Sequence, residues 1–145
     1  MNEVIRITVP GQPQGKGRAR VCLRGGYARA YTPDSTAAYE NLIKLAYGNR
    51  GISVVPVELA VTAYYRIPKS FSKRKRTEAL SGVVRPQTKP DIDNVVKVVC
   101  DALNKVAYND DTQVVKIVAE KYYGETPGLV LSLIHISEPT RRSYI

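Results

Sequence analysis

Apolar and polar residues alternate at the start of the chain. Ile5, Ile7 and Val9 oppose Val4, Arg6 and Thr8, which predicts a strand over Glu3–Val9. The period then dissolves. Pro10 to Tyr31 is rich in Gly, Pro and Arg, and reads as a loop or irregular hairpin turning at Gly25-Gly26. Thr32-Pro33-Asp34 is a helix start, with Thr32 as N-cap, Pro33 at the first position and Asp34 on the positive helix end. Tyr39, Leu42, Ile43 and Ala46 follow at helical spacing, and Gly48 or Gly51 stops the helix. A β-rich run predicts a strand from Val57 to Arg66, and a polar, basic loop from Pro68 to Gln87 carries a short helix over Lys73–Leu80. A second main helix starts at Asp91, with Ile92, Val95, Val96, Val99, Leu103 and Val106 as its apolar stripe. Tyr108 to Asp111 is a tight acidic turn, Gln113–Tyr123 a strand, and Thr126-Pro127-Gly128 a turn into a last strand from Leu129. The order β-α-β-loop-α-β-β predicts a single small α+β domain, with one mixed sheet and two main helices packed on it.

Composition narrows the class. The chain has 145 residues, enough for one core without covalent staples. Cys22 and Cys100 lie far apart and His135 is the single histidine, which excludes a disulfide framework, a structural zinc site and any chemistry needing two histidines. No apolar run is long enough to span a membrane and no secretory signal is visible, so a cytoplasmic, nucleoid-associated protein is expected. The formal net charge of +9 calls for a polyanionic partner.

The distribution of charge is more informative than its total. No acid separates Glu3 from Asp34, an interval holding Arg6, Lys16, Arg18, Arg20, Arg24 and Arg29. Between Glu58 and Asp91 the one acid is Glu78, against Arg66, Lys69, Lys73, Arg74, Lys75, Arg76, Arg85 and Lys89. Five of the 13 acids then crowd into Asp91–Asp111. A purely electrostatic DNA binder has no use for such a focus, because it repels phosphate. A metal-dependent phosphodiesterase needs both parts: cations to hold the backbone, and carboxylates to hold Mg²⁺ at the scissile phosphate. Lys16, Arg18 and Arg20 are expected on phosphate, because Gly15 and Gly17 let the backbone approach closely. Lys73, Arg74, Lys75, Arg76 and Lys89, just ahead of the acidic focus, are expected on DNA as well.

The chemistry centres on Lys89-Pro-Asp-Ile-Asp-Asn94, Lys97, Asp101 and Asp110-Asp111. Asp91 and Asp93 bracket a helix N-terminus, which favours carboxylate and phosphate alike. Asp111 reaches them only if the chain doubles back. If the three converge, their repulsion is relieved by Mg²⁺ or Mn²⁺, which take oxygen ligands and leave positions for water and phosphate. Lys97, one turn past Asp93, either orients the attacking water or stabilises the pentacovalent phosphate. Plainer roles stand beside these. Asp91 can be an N-cap, Asp93 a first-turn charge, Asp101 the i, i+4 partner of Lys97, Asp110 a turn residue, and Tyr27 and Tyr31 packing groups rather than stacking platforms for unpaired bases.

Together with Pro10-Gly-Gln-Pro, Lys16-Gly-Arg-Ala-Arg20 and Tyr31-Thr-Pro33 near the start, these segments resemble the RusA family of Holliday-junction resolvases, the core match being Lys89–Asn94, Lys97, Asp101-Ala-Leu-Asn104 and Asn109-Asp-Asp-Thr-Gln-Val-Val115. The resemblance implies a homodimeric, Mg²⁺-dependent endonuclease (Mn²⁺ can substitute) making paired nicks in four-way DNA junctions during recombination and repair. It places the catalytic, metal-holding carboxylates on Asp91, Asp93 and Asp111 and the essential lysine on Lys97, with Asp110 as a weaker fourth ligand. Ala19 is a departure, standing where many relatives carry proline. Rival expectations are a nuclease of the same fold acting on flaps, forks or duplex, a non-catalytic DNA-binding relative, and an RNA-binding basic domain, which leaves the acidic cluster unexplained. Leu131-Ser-Leu-Ile-His-Ile-Ser-Glu-Pro-Thr-Arg141 resembles the translation of a sequencing adapter, so residues 1–130 are expected to form the endonuclease domain and 131–145 a non-native tail. The alternation through Ile136 can still finish a strand by accident.

Overall fold

The computed structural model describes residues 4–17, 20–24, 27–31 and 34–136. Its elements are strands β1 (Val4–Pro10), β2 (Arg20–Arg24) and β3 (Tyr27–Tyr31), helix α1 (Asp34–Tyr47), β4 (Val57–Arg66), helices α2 (Lys73–Leu80) and α3 (Ile92–Leu103), a 3₁₀ turn (Asp111–Gln113), β5 (Val114–Gly124) and β6 (Gly128–His135). The architecture is α+β. One four-stranded mixed sheet has the order β1-β6-β4-β5, with β4 and β5 parallel and the other pairs antiparallel.

The segment from Pro10 to Tyr31 resolves into a hairpin, Arg20 opposite Tyr31 and Arg24 opposite Tyr27, separate from the main sheet. The Gly25-Gly26 turn, Arg18, and the Thr32-Pro33 cap lie outside the described residues. Strand alternation builds one face of the core: Ile5, Ile7 and Val9 of β1, Leu129, Leu131 and Leu133 of β6, and Val57, Leu59, Val61, Ala63 and Tyr65 of β4 are all buried. Leu131 and Leu133 lie beyond position 130, so β6 carries part of the adapter-like segment into the sheet; its strict alternation is all that placement requires.

The helices fill that face with stripes slightly rotated from those expected. In α1 the buried residues are Thr36, Tyr39, Ile43 and Tyr47, while Leu42 is turned toward solvent. In α3 they are Val95, Val98, Val99, Ala102 and Leu103, with Ile92 and Val96 at the margin and Val106 beyond the helix end. Each buried Val or Leu contributes about 1.5–3 kcal/mol relative to exposure. The opposite face of α3 is thereby left to its charged residues.

Candidate functional site

The first turn of α3 is held from three sides. Val95 N–H and Asn94 N–H donate to the Asp91 carbonyl (3.0 and 3.1 Å), which starts the helix. From β4, the buried Tyr65 hydroxyl donates to the Pro90 carbonyl. From the 11–17 loop, Lys16 N–H donates to the Asn94 carbonyl at 3.2 Å. Gly15 presses so closely there that a Cβ on it would stand 2.5 Å from Asn94 Nδ2 and 3.0 Å from Pro90 Cβ. Between loop and helix lies a cavity of about 480 Å³, whose walls include Gln14, Gly15, Lys89, Pro90, Asp91 and Asn94.

Asp91 occupies the N-cap position, yet its carboxylate makes no capping hydrogen bond. That argues against the purely structural reading, since a cap normally uses the side-chain oxygen. Asp93 and Lys97 are exposed on the next turns of the same helix. After α3 the chain doubles back. Lys105 takes a positive φ of 64°, and the buried Tyr108 donates its hydroxyl to the Cys100 carbonyl at 2.8 Å. Gln113 pins the acidic turn: its Oε1 accepts from Asn109 and Asp110 N–H (2.8 and 3.1 Å), and its Nε2 donates to the Ser53 and Val55 carbonyls (3.0 and 3.1 Å). Asp110 is spent locally. The Thr112 hydroxyl donates to its carboxylate at 2.7 Å and, as the main cause, holds the Asp110 carboxyl below its ordinary value. Asp111 is left exposed at the head of the turn.

The returning chain brings Asp111 beside the middle of α3. Burial pushes the Cys100 thiol up; the charges of Asp111 and Asp101 add to this, while the Tyr108 hydroxyl and Lys97 oppose it. Asp111, Asp101 and Lys97 thus act on one group. Asp91 acts instead on Tyr65, whose phenol is pushed up to about 12, first by burial and then by that carboxylate. Asp91 lies six residues before Lys97, roughly 9 Å along the helix at the usual rise. Among the described residues no three His, Cys, Asp or Glu side chains stand close enough to hold one ion, so the expected three-carboxylate cage is not closed there.

The acidic focus sorts into two groups. Asp101 and Asp110 are engaged by Lys16 and Thr112. Among the described residues, the side chains of Asp91, Asp93, Asp111 and Lys97 have no hydrogen-bond or ion-pair partner. Within the acidic focus, three carboxylates and one ammonium are thus left without a hydrogen-bond or ion-pair partner among the described residues. Their donor type suits Mg²⁺, which commonly takes one or two protein carboxylates and completes its shell with water and substrate phosphate.

The basic residues divide as well. Lys73, Arg74, Lys75 and Arg76 form the exposed first turn of α2, capped by Ser72. Arg74 pairs with Glu78 at 3.2 Å and Lys75 lies over the Phe71 ring at 4.3 Å. Four cations at the positive end of a helix work against its dipole. Arg74 and Lys75 are partly offset by Glu78 and Phe71, whereas Lys73 and Arg76 have no such partner among the described residues. Lys89 is exposed at the cavity. Arg20 starts β2. Lys16 is turned inward: its ammonium lies 2.8 Å from Glu40 and 3.0 Å from Asp101. Asp101 therefore pairs with Lys16 across the fold, not with Lys97 along the helix. Burial lowers the Lys16 pKa, and the two carboxylates more than offset this, so it stands above the ordinary lysine value. Sequence reasoning misses both this pairing and the anchoring role of Gln113, because each depends on two distant segments meeting.

No described helix is long and apolar enough to cross a membrane. A family profile described as Endodeoxyribonuclease RusA matches residues 10–134. A Bacillus subtilis (strain 168) protein called Uncharacterized protein YqaN is 37% identical over 140 residues, covering 93% of this chain and 99% of its own length.

Proposed function

This chain belongs to the RusA family of endodeoxyribonucleases, and from that membership we propose that it resolves four-way DNA junctions by divalent-metal-dependent hydrolysis, acting as a homodimer. The observation that carries the reading is the sorting of the acidic focus. Among the described residues the side chains of Asp91, Asp93, Asp111 and Lys97 have no hydrogen-bond or ion-pair partner, while those of their neighbours Asp101 and Asp110 do.

In this reading Asp91, Asp93 and Asp111, which the fold does not gather into one cage among the described residues, would share Mg²⁺ or Mn²⁺ with water and the substrate phosphate. When bound, the ion supplies neutralising charge and a more acidic water. Hydrolysis forms a bond from water oxygen to phosphorus and breaks the bond to the 3′ oxygen, leaving a 5′-phosphate and a 3′-hydroxyl. Lys97 places its ammonium where negative charge builds on the phosphoryl oxygens. The exposed carboxylates are well suited to desolvation by an arriving backbone, since no internal bond has to break first. The basic turn of α2, Lys89, Arg18 and Arg20 provide the sequence-independent grip. Two nicks on opposite arms need two active sites, which a two-fold dimer matches to a roughly two-fold junction.

The test is cleavage of a labelled mobile four-way junction with Mg²⁺, with Mn²⁺ and with chelator, in competition with linear duplex, flap and fork. Paired nicks confined to the junction and abolished by chelator are expected. Equal cutting of flap or duplex would transfer the protein to a nuclease of different selectivity, and binding with no cutting in either metal would make it a non-catalytic relative.

A further inference from the structure

The 11–17 loop links β1 to the β2–β3 hairpin and is tied down at several points. Gln12 Oε1 accepts from Arg66 N–H at 2.9 Å, Lys16 N–H donates to the Asn94 carbonyl at 3.2 Å, and Gly17 N–H donates to Thr36 Oγ1 at 2.9 Å. The strongest tie is ionic. Lys16 Nζ lies 2.8 Å from Glu40 of α1 and 3.0 Å from Asp101 of α3, with the three side chains 21%, 15% and 30% exposed. One ammonium is thus shared by two carboxylates on the two helices that cover the sheet, at a depth where ion pairs are screened less than on the surface.

Such a lysine is poorly placed to grip DNA. To reach a phosphate it must leave two partners within hydrogen-bond distance and strand two partly buried carboxylates beside each other. We infer that Lys16 is a positioning residue: shared by Glu40 and Asp101, it clamps the 11–17 loop across α1 and α3 and so fixes that loop against the Asp91–Asp93 helix start. The catalytic half of this inference rests on the nuclease reading; the clamp itself does not. Its consequence is specific. The lysine of the Lys16-Gly-Arg-Ala-Arg20 string works inside the protein, between α1 and α3.

Three variants of the full chain separate this role from phosphate binding: Lys16→Met, Lys16→Arg, and Glu40→Gln with Asp101→Asn, which keeps the lysine and removes both partners. Hydrogen exchange on the free protein is expected to show Lys16 and Gly17 amide protection lost in Lys16→Met and in the double variant, and largely restored in Lys16→Arg. Single-turnover cleavage with junction saturated is expected to fall roughly tenfold or more in the first two, while the salt dependence of junction binding matches wild type. A salt slope about one unit shallower in Lys16→Met, with the double variant unaffected, is the signature of a phosphate ligand and overturns the inference. Unchanged amide protection in Lys16→Met overturns it too. Should the wild type cut no junction in either metal, the nuclease reading falls and the exchange data alone decide the clamp. Should Lys16→Met fail to fold, the double variant and Lys16→Arg decide it in the same way.

Discussion

The Tyr65 hydroxyl, at the end of β4, donates a 2.5 Å hydrogen bond to the carbonyl of Pro90, the residue immediately before Asp91. The sheet thereby sets the position of a carboxylate that makes no capping bond of its own. Tyr65→Phe keeps the buried ring and deletes that bond. Stability is expected to fall by about 1 kcal/mol, and single-turnover cleavage to fall further than junction affinity does. Denaturant unfolding and a junction-binding titration on the same preparation check both.

The same tyrosine marks an alkaline limit. Its pKa is raised from 10.0 to about 12 by burial, with the Asp91 charge adding. A group raised on folding stabilises the protein fully below its unfolded value and loses that contribution as pH climbs through the folded one. The Tyr65 contribution is therefore complete below pH 10 and lost between about pH 10 and 12. Unfolding midpoints measured from pH 8 upward are expected to drop less steeply above pH 10 in Tyr65→Phe than in wild type.

Substitutions in the acidic focus are expected to divide into two kinds. Asp91→Asn, Asp93→Asn, Asp111→Asn and Lys97→Ala each lower junction cleavage on the order of a hundredfold or more, bind junction DNA, and leave stability within about 0.5 kcal/mol. Asp101→Asn and Asp110→Asn act first on stability, because Lys16 and Thr112 lose a partner. Thermal melts set beside single-turnover rates distinguish the two, and an Asp93 variant with full activity would leave the mechanism to the others.

Neutralising Lys73 and Arg76 is expected to weaken junction binding and to flatten its salt dependence by about 0.9 for each phosphate no longer neutralised. Arg74 and Lys75, which already have Glu78 and Phe71 as partners, contribute less. Removing cations from the positive end of α2 also relieves the helix dipole. The variants are thus expected to melt no lower than wild type while binding worse.

Gly15→Ala places a methyl 2.5 Å from Asn94 Nδ2 and 3.0 Å from Pro90 Cβ. The Asn94 amide must swing aside and Asn94 Cγ and Pro90 Cβ, both at 3.0 Å, must yield slightly, at a cost of about 1 kcal/mol. Because the first turn of α3 carries Asp91 and Asp93, cleavage is expected to fall in parallel, measurable with junction saturated.

What is legible in the sequence is local. The alternation of β1, the β-rich run of β4, the short basic helix α2 and the start of α3 at Asp91 all follow from periodicity and end signals, and each element lies where expected within a residue. The meeting of Asp111 with Asp91 and Asp93 is not legible: the sequence makes it conditional on the chain doubling back, and the fold sets Asp111 near Cys100 in the middle of α3. The hairpin β2–β3 is only half legible, because its Gly- and Arg-rich sequence lacks apolar alternation. Spacing alone puts Leu42 inward, whereas the stripe through Thr36 and Tyr47 decides which side of α1 faces the sheet. The Lys16–Asp101 pair is illegible, since i, i+4 spacing offers Lys97 as the nearer partner and only tertiary packing brings Lys16 closer.

The β1-β6-β4-β5 order also governs how the molecule comes into being. Among the described strands β1 pairs with β6 alone, with Val4 opposite Ile134 and Pro10 opposite Gly128. While a ribosome is still building the middle of the chain, β1 has nothing to zip against. Such long-range pairing slows folding, because a long loop must close before the contacts of β1 with β6 are gained.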